Sequence, residues 1–261
     1  MKHLRKSVAL TALIGALGMV GCGGDGGGGG GSSPTPSARS AAEGGWCGTA
    51  SNGYTETLFA LDDGSVWGIY GSGNCNSGVT SAIGAYHGTY SESNGNVSGS
   101  ISQFDFSASR TSSASFSGTA TAKSKFSIAL SDANKTTLNA NYLGSYDQPA
   151  SSTALAGRFT GTAISSVDYA SLQQSVTISG TTLTMPADPY GCSASGTVTP
   201  HATPRATVGV FDLTIKFNGS YCSLGNGTTA KGMAMLTASN QLQAMAFVPG
   251  TTRGIFFVGN R

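Results

Sequence analysis

The chain has 261 residues, of which 39 are glycine and only 10% are charged. Fourteen Lys and Arg stand against twelve Asp and Glu with no basic run, which excludes the clustered cations that a nucleic-acid partner or an anionic-membrane patch needs. Gly, Ser and Thr dominate, the apolar residues are mostly β-branched or aromatic, and no stretch from Ala42 onward repeats apolar residues at helical spacing, so helix is all but excluded.

Lys2, Arg5 and Lys6 precede an apolar stretch from Val8 to Val20. At roughly 20 residues needed to span a bilayer this stretch is too short, and it reads as an export signal covering residues 1–21. It closes on Met19-Val20-Gly21-Cys22. That tetrapeptide resembles the lipobox of bacterial lipoproteins, with Met where Leu is more usual. The resemblance implies cleavage before Cys22, a diacylglyceryl thioether on Cys22 and an acylated amino terminus carrying palmitate-type chains. At about 0.8 kcal/mol per buried methylene, several such chains make a permanent anchor. Gly23 rather than Asp follows the cysteine, which in Gram-negative lipoproteins implies the outer membrane. Removing the signal leaves 11 basic against 12 acidic residues, a net charge of about −1.

Residues 22–42 form the next segment: Gly23-Gly24-Asp25, six glycines from Gly26 to Gly31, then Ser32, Ser33, Pro34, Thr35, Pro36 and Ser37. No core can form from this composition, and some twenty residues of it make a flexible tether with a root-mean-square reach of roughly 25 Å.

Short alternating segments then recur, bounded by Asn52-Gly53, Asp63-Gly64, Asn94-Gly95, Asn218-Gly219 and Asn226-Gly227. These dipeptides suit tight hairpins whose central residues take positive φ. The clearest hairpin runs from Tyr54 to Leu61, turns at Asp62-Asp63-Gly64 and returns from Val66 to Tyr70. Asp62-Asp63-Gly64 is also a fragment of a calcium loop, but the other oxygen ligands are missing, which favours a plain turn.

The body reads as a duplication. Trp46-Cys47-Gly48-Thr49 matches Phe159-Thr160-Gly161-Thr162, Gly88-Thr89 matches Gly196-Thr197, and Phe104-Asp105-Phe106 matches Phe211-Asp212-Leu213. Thr121-Ala122-Lys123 matches Thr229-Ala230-Lys231, and Leu138-x-Ala140 matches Leu242-x-Ala244. The expectation is an all-β antiparallel meander in two repeats, residues 43–148 and 149–261, each a small up-and-down barrel or sandwich of seven or eight strands. The boundary falls near Tyr146-Asp147-Gln148-Pro149-Ala150-Ser151-Ser152. One larger barrel built from both repeats is the alternative. Phe257-Val258-Gly259 echoes Phe159-Thr160-Gly161, so the last strand is expected to close a barrel against one of the two first strands.

Four further cysteines remain: Cys47, Cys75, Cys192 and Cys222. An even count in an exported domain points to disulfides. Of three connectivities, Cys47 with Cys75 and Cys192 with Cys222 is favoured, because each bridge then staples one repeat and closes a loop of roughly 30 residues, about 3 to 4 kcal/mol of stabilisation. Zinc would need closely spaced ligand pairs, and none exists.

No catalytic residues are predicted. His87 and His201 are the histidines of the mature chain, no G-x-S-x-G elbow surrounds a serine, and His87 reads as a wall residue of a strand and His201 as a loop residue. Asp105 and Asp212 are a tempting carboxylate pair, yet their equivalence under the duplication places them in separate repeats, bonded locally or paired with Lys123 and Lys231. No metal and no cofactor is expected.

A lipobox, a Gly-rich tether and Gly45-Trp46-Cys47-Gly48-Thr49 opening onto Gly/Thr-rich meanders resemble proteobacterial outer-membrane lipoproteins, and more distantly the β-barrel lobes of transferrin-binding surface lipoproteins. The G-x-W opening also resembles lipocalins. The resemblance implies a non-enzymatic envelope role: a binding or structural module held to the membrane by its lipid and presenting loops or a sheet edge to an envelope or extracellular macromolecule. A lipocalin-like carrier of a small apolar ligand is the alternative, and it would need an open lumen lined by aromatics such as Trp67, Tyr70 and Phe104.

Overall fold

Strand-forming segments joined by tight turns can close their edges only by pairing the last strand with the first. In the computed structural model, which describes residues 38–261, this happens twice. The predicted leader, Cys22 and the predicted tether through residue 37 lie outside the described residues.

Barrel 1 comprises β1 (Gly44–Ala50), β2 (Thr55–Ala60), β3 (Ser65–Asn74), β4 (Gly78–Ser93), β5 (Asn96–Asp105), β6 (Arg110–Thr121), β7 (Lys125–Leu130) and β8 (Thr137–Tyr142). β1 pairs with β8, Gly48 opposite Ala140. Barrel 2 comprises β9 (Gly157–Ser165), β10 (Ser171–Ser179), β11 (Thr182–Met185), β12 (Ser193–Ala202), β13 (Thr207–Asn218), β14 (Thr229–Leu236), β15 (Gln241–Phe247) and β16 (Gly254–Asn260). The last strand closes on β9, Gly259 opposite Gly161. The fold is therefore two antiparallel eight-stranded barrels, neither a sandwich nor one large barrel. A 3-10 turn (Gly144–Asp147) and the short α1 (Ser152–Leu155) join them, α1 being capped by Ser151 Oγ, which accepts from Ala154 N.

Barrels this small need tight bends, and glycines supply them. A Cβ on Gly48, Gly88 or Gly118 would overlap the backbone of the neighbouring strand, and so would one on Gly161, Gly196 or Gly232. These are residues of the first, fourth and sixth strands of each barrel, where only a missing side chain lets two backbones approach so closely. The Trp46/Phe159 and Gly88/Gly196 matches are thus true equivalences, with Trp46 and Phe159 both fully buried at the floor of their lumens.

The other three matches do not superpose. Phe104 is the penultimate residue of β5, beside the turn to β6, whereas Phe211 lies in the first half of β13. Thr121 ends β6 while Thr229 begins β14, and Leu138 is in the eighth strand of barrel 1 while Leu242 is in the seventh of barrel 2. The cause is the longer hairpin between the fourth and fifth strands of barrel 2: Gly88 pairs with Ile101, 13 positions on, whereas its equivalent Gly196 pairs with Ile215, 19 positions on.

Alternation sends one face of each strand into a lumen and the other outward. Trp46, Leu58, Val66, Phe116 and Phe126 fill barrel 1, and Phe159, Val176, Ile178, Leu213 and Phe217 fill barrel 2. A third cluster lies outside both lumens, where Phe59, Ile69 and Phe104 of barrel 1 meet Met233, Met245, Phe247 and Phe256 of barrel 2. Strands at this seam are covered on both faces, and every residue of β15 is buried. At roughly 1.5 to 3 kcal/mol for each large side chain, the seam holds the two barrels as one body.

The segment before β1 belongs to barrel 1 as well. Predicted as the end of the tether, residues 39–42 are instead bound in place. Arg39 donates to Asp147 at 2.7 Å and to the Tyr142 hydroxyl at 2.8 Å, Ser40 donates to Glu92 at 2.8 Å, and Trp46 Nε1 donates to the Ala42 carbonyl at 2.9 Å. Ala42 is fully buried and plugs this end of the lumen. Leu155 of α1 plugs barrel 2 in the same way.

The cysteines pair Cys47–Cys75 and Cys192–Cys222. Each bridge lies within one barrel, but the two are not copies: Cys75 and Cys192 occupy equivalent third-to-fourth-strand turns, and their partners lie on β1 and in the β13–β14 loop.

Candidate functional site

The two lumens differ in chemistry. Barrel 2 encloses about 30 Å³ lined only by apolar side chains such as Val176, Leu213 and Phe257, and about 40 Å³ more where the buried Gln174 stands among Ala163, Phe217 and Leu224. Barrel 1 holds a cavity of about 70 Å³ that opens among the turns at residues 51–54, 106–109 and 131–136, opposite the end plugged by Ala42. Its floor is apolar, with Leu58, Val66, Ile101, Phe116 and Phe126. Its wall and rim carry Tyr54, Glu56, Tyr70, Tyr86, Gln103, Asp105, Arg110 and Asp132.

Two adjacent strands place the central groups. Glu56 on β2 and Tyr70 on β3 are directly paired cross-strand neighbours, so their side chains rise from the same face into the lumen. Room for the tyrosine rings comes from glycines: Tyr70 lies across Gly84 on β4, and Tyr86 lies across Gly68 on β3. The rings of Tyr54 and Tyr70 are 6.3 Å apart and those of Tyr70 and Tyr86 6.4 Å apart.

Glu56 is buried, and its Oε2 accepts one hydrogen bond, from the Tyr86 hydroxyl at 3.2 Å. Burial pushes the Glu56 carboxyl up to about 7; the Tyr86 bond offsets part of that rise and the charge of Asp132 adds to it. Burial likewise raises the Tyr70 and Tyr86 phenols, with Glu56 contributing, so both rings present protonated hydroxyls. The rim carboxylates are already occupied. Asp105 accepts from Ser107 Oγ at 2.6 Å and Ala108 N at 3.0 Å, and Asp132 accepts from Thr136 N at 2.8 Å and Thr136 Oγ1 at 2.7 Å.

The residues singled out from sequence fall elsewhere. Trp67 and Phe104 point away from the lumen into the seam, and of the three aromatics expected inside only Tyr70 lies there. Asp105 faces the mouth of barrel 1 while Asp212 faces out of barrel 2, so the two aspartates neither meet nor occupy equivalent places. Lys123 pairs with Asp147 at 2.9 Å, not with Asp105, and Asp212 pairs with His201 at 2.7 Å, not with Lys231. His201 is a strand residue of β12, and it also bonds Asp62 of barrel 1 at 3.0 Å. Its bond to Asp212 is the largest influence on its charge; burial opposes this and Asp62 adds to it, so that the imidazole is pushed up to about 9. Asp63 accepts from Ser65 N at 2.8 Å, as a hairpin turn requires. His87 stacks on Trp67 at 5.5 Å and lies 4.1 Å from Phe247, and burial lowers its pKa.

Glu56 and Tyr86 escaped sequence reasoning, although a signal existed. In Thr55–Ala60, Glu56 alternates in step with the core residue Leu58, and a charge on an apolar register is where a buried functional group shows itself. A larger depression of about 640 Å³ on the outer wall of barrel 2 is lined by Ser175, Thr177, Thr184, Ser193 and Ser195. It holds no buried charged side chain. Compared with known protein families and with curated proteins, the chain matches none.

Proposed function

We propose that this chain is a lipid-anchored outer-membrane binding module without enzymatic activity, in which barrel 2 is a filled structural support and barrel 1 carries the ligand site. The observation that carries the binding role is the cavity of barrel 1, into which the buried Glu56 projects beside the unbonded hydroxyl of Tyr70. The mouth of that cavity is at the end of barrel 1 opposite the entering chain, an orientation suited to a tethered receptor. Both histidines of the mature chain are committed to the seam, which supports a non-enzymatic reading. A carrier of a small apolar ligand is less well supported, because the wholly apolar pocket of barrel 2 encloses only about 30 Å³, while the larger cavity of about 70 Å³ in barrel 1 carries a buried carboxyl.

Fractionation of cells producing the full chain tests the anchor. The mature protein should begin at an acylated Cys22 and sediment with outer membranes, and Cys22→Ala should release it. Retention of a processed Cys22→Ala chain in the membrane would refute the anchor, and a full chain that binds no small molecule of any charge class would refute the ligand site.

A further inference from the structure

Of the buried polar side chains that line the barrel 1 cavity, Tyr86 and Thr136 are bonded through their hydroxyls, and Glu56 and Tyr70 each keep an oxygen without a partner. Glu56 is 8% exposed and Tyr70 is 6% exposed. Among the described residues, Glu56 Oε1 has no hydrogen-bond donor, and the Tyr70 hydroxyl has no partner at all. Both line the cavity. A carboxylate taken out of water is costly unless a counter-charge or a full set of donors meets it. Here a single hydroxyl, from Tyr86, meets it.

We infer that the lumen of barrel 1 binds the ammonium head of a small primary amine, with Glu56 as counter-ion, the Tyr70 hydroxyl as acceptor and the rings of Tyr54, Tyr70 and Tyr86 as walls.

The inference rests on the binding role proposed above and specifies its ligand class. An ammonium carries three N–H donors, enough for Glu56 Oε1, the Tyr70 oxygen and one further acceptor. The negative faces of aromatic rings favour a cation over a neutral group of the same size. Asp105 and Asp132 at the rim add attraction, and Arg110 is the single cation among the lining residues. At roughly 10 to 15 Å³ for each water-sized site, a cavity of about 70 Å³ takes a head group of about five non-hydrogen atoms, while a longer substituent can leave through the mouth. The apolar floor at Leu58 and Val66 accepts methylene groups.

Proton linkage gives the site a signature. The groups facing Glu56 are Tyr70 on β3, Tyr86 on β4, Asp105 on β5, Arg110 on β6, and Tyr54 and Asp132 in the turns. An ammonium ion needs Glu56 ionised, so binding must displace the proton that burial favours. With the carboxyl pushed up to about 7, affinity should fall about tenfold from pH 8 to pH 6.

The test is calorimetric titration of the full lipidated chain in a non-ionic detergent with n-propylamine hydrochloride, 1-propanol and sodium propionate. The amine should bind at least tenfold more tightly than the alcohol, weaken about tenfold at pH 6 and release a proton there. Glu56→Gln should reduce amine affinity at least tenfold and abolish the pH dependence, and Tyr70→Phe, which keeps the ring, should reduce it several-fold; thermal melts report that each variant is folded. Equal binding of amine and alcohol, or amine binding unchanged in folded Glu56→Gln, overturns the inference. Tight binding of propionate or propanol that Glu56→Gln alters overturns the amine while leaving barrel 1 as a binding site. Absence of binding by all three overturns both.

Discussion

His201 of barrel 2 bonds Asp62 of barrel 1 at 3.0 Å while its other ring nitrogen bonds Asp212 at 2.7 Å, so one imidazolium ties the two barrels together. Both nitrogens must carry protons to donate to both carboxylates at once. The raised pKa of about 9 is the electrostatic counterpart of that geometry.

The pH dependence of stability follows from the sign of that shift. A histidine raised above its unfolded value of about 6.5 stabilises fully below that pH, and the contribution is lost as pH rises through about 9. Denaturant unfolding at pH 6 and pH 9.5 should show a loss of about 1 to 3 kcal/mol, discounted because Asp212 is half exposed. His201→Gln should remove this increment, and a variant with the same high-pH loss as the parent would refute the assignment.

Asp212→Asn should cost about 1 to 2 kcal/mol at pH 6, since it leaves the imidazolium with one charged partner. Asp105→Asn should stay within about 0.5 kcal/mol, because the amide oxygen can still accept from Ser107 and Ala108 in an exposed turn. Equal costs for the two substitutions would contradict their different surroundings.

Phe104 and Phe211 are both buried but belong to different cores. Each replaced by Ala should lose about 3 to 5 kcal/mol. Hydrogen exchange separates them. Phe104→Ala, which removes the ring stacked on Phe256 at 5.3 Å and near Phe247 at 5.6 Å, should raise exchange along the seam strands of both barrels. Phe211→Ala should raise it within barrel 2.

Glu56→Gln should stabilise the protein at pH 8 by about 2 to 3 kcal/mol and leave it unchanged at pH 4. The folded carboxyl is raised to about 7, so the native state loses stability as pH rises from about 4.5 to 7 and loses no more above that. Urea unfolding of both chains at the two pH values measures this, and a destabilised Glu56→Gln at pH 8 would show that the carboxylate is paired in the folded state.

Local chemistry made much of the fold legible. The hairpin around Asp62-Asp63-Gly64 follows from an Asx bond and a positive φ at Gly64, both set within a few residues. The strand content follows from composition, and the even cysteine count points to disulfides, with the pairing within each repeat favoured among three because it staples each repeat. The Trp46/Phe159 and Gly88/Gly196 equivalences were readable because each is fixed by a close backbone approach that recurs in both barrels.

The candidate site was readable only in part, because alternation states which residues share a face but not which face turns inward. Phe104 and Phe211 sit in similar triplets, yet one faces the seam and the other a lumen. A longer β12–β13 hairpin shifts the residues of the fifth strand in barrel 2 relative to those in barrel 1, and short matches carry no trace of that shift. Continuous apolar runs such as Met233-Ala234-Met235-Leu236 and Ile255-Phe256-Phe257-Val258 prove to be strands buried on both faces, a pattern that the search for alternation passes over.

By itself, then, the sequence determined the strand-and-turn character of the chain, which depends on backbone propensity and turn geometry, and it favoured two repeats and the cysteine pairing without excluding one larger barrel or the other two connectivities. Only the tertiary structure decided that His201 reaches Asp62 across 139 positions, that Trp67 leaves the lumen for the seam, and that Glu56 stands beside Tyr70 in a cavity. Each of these is a matter of which sheet face meets which, and that choice is made by the burial free energy of the whole body.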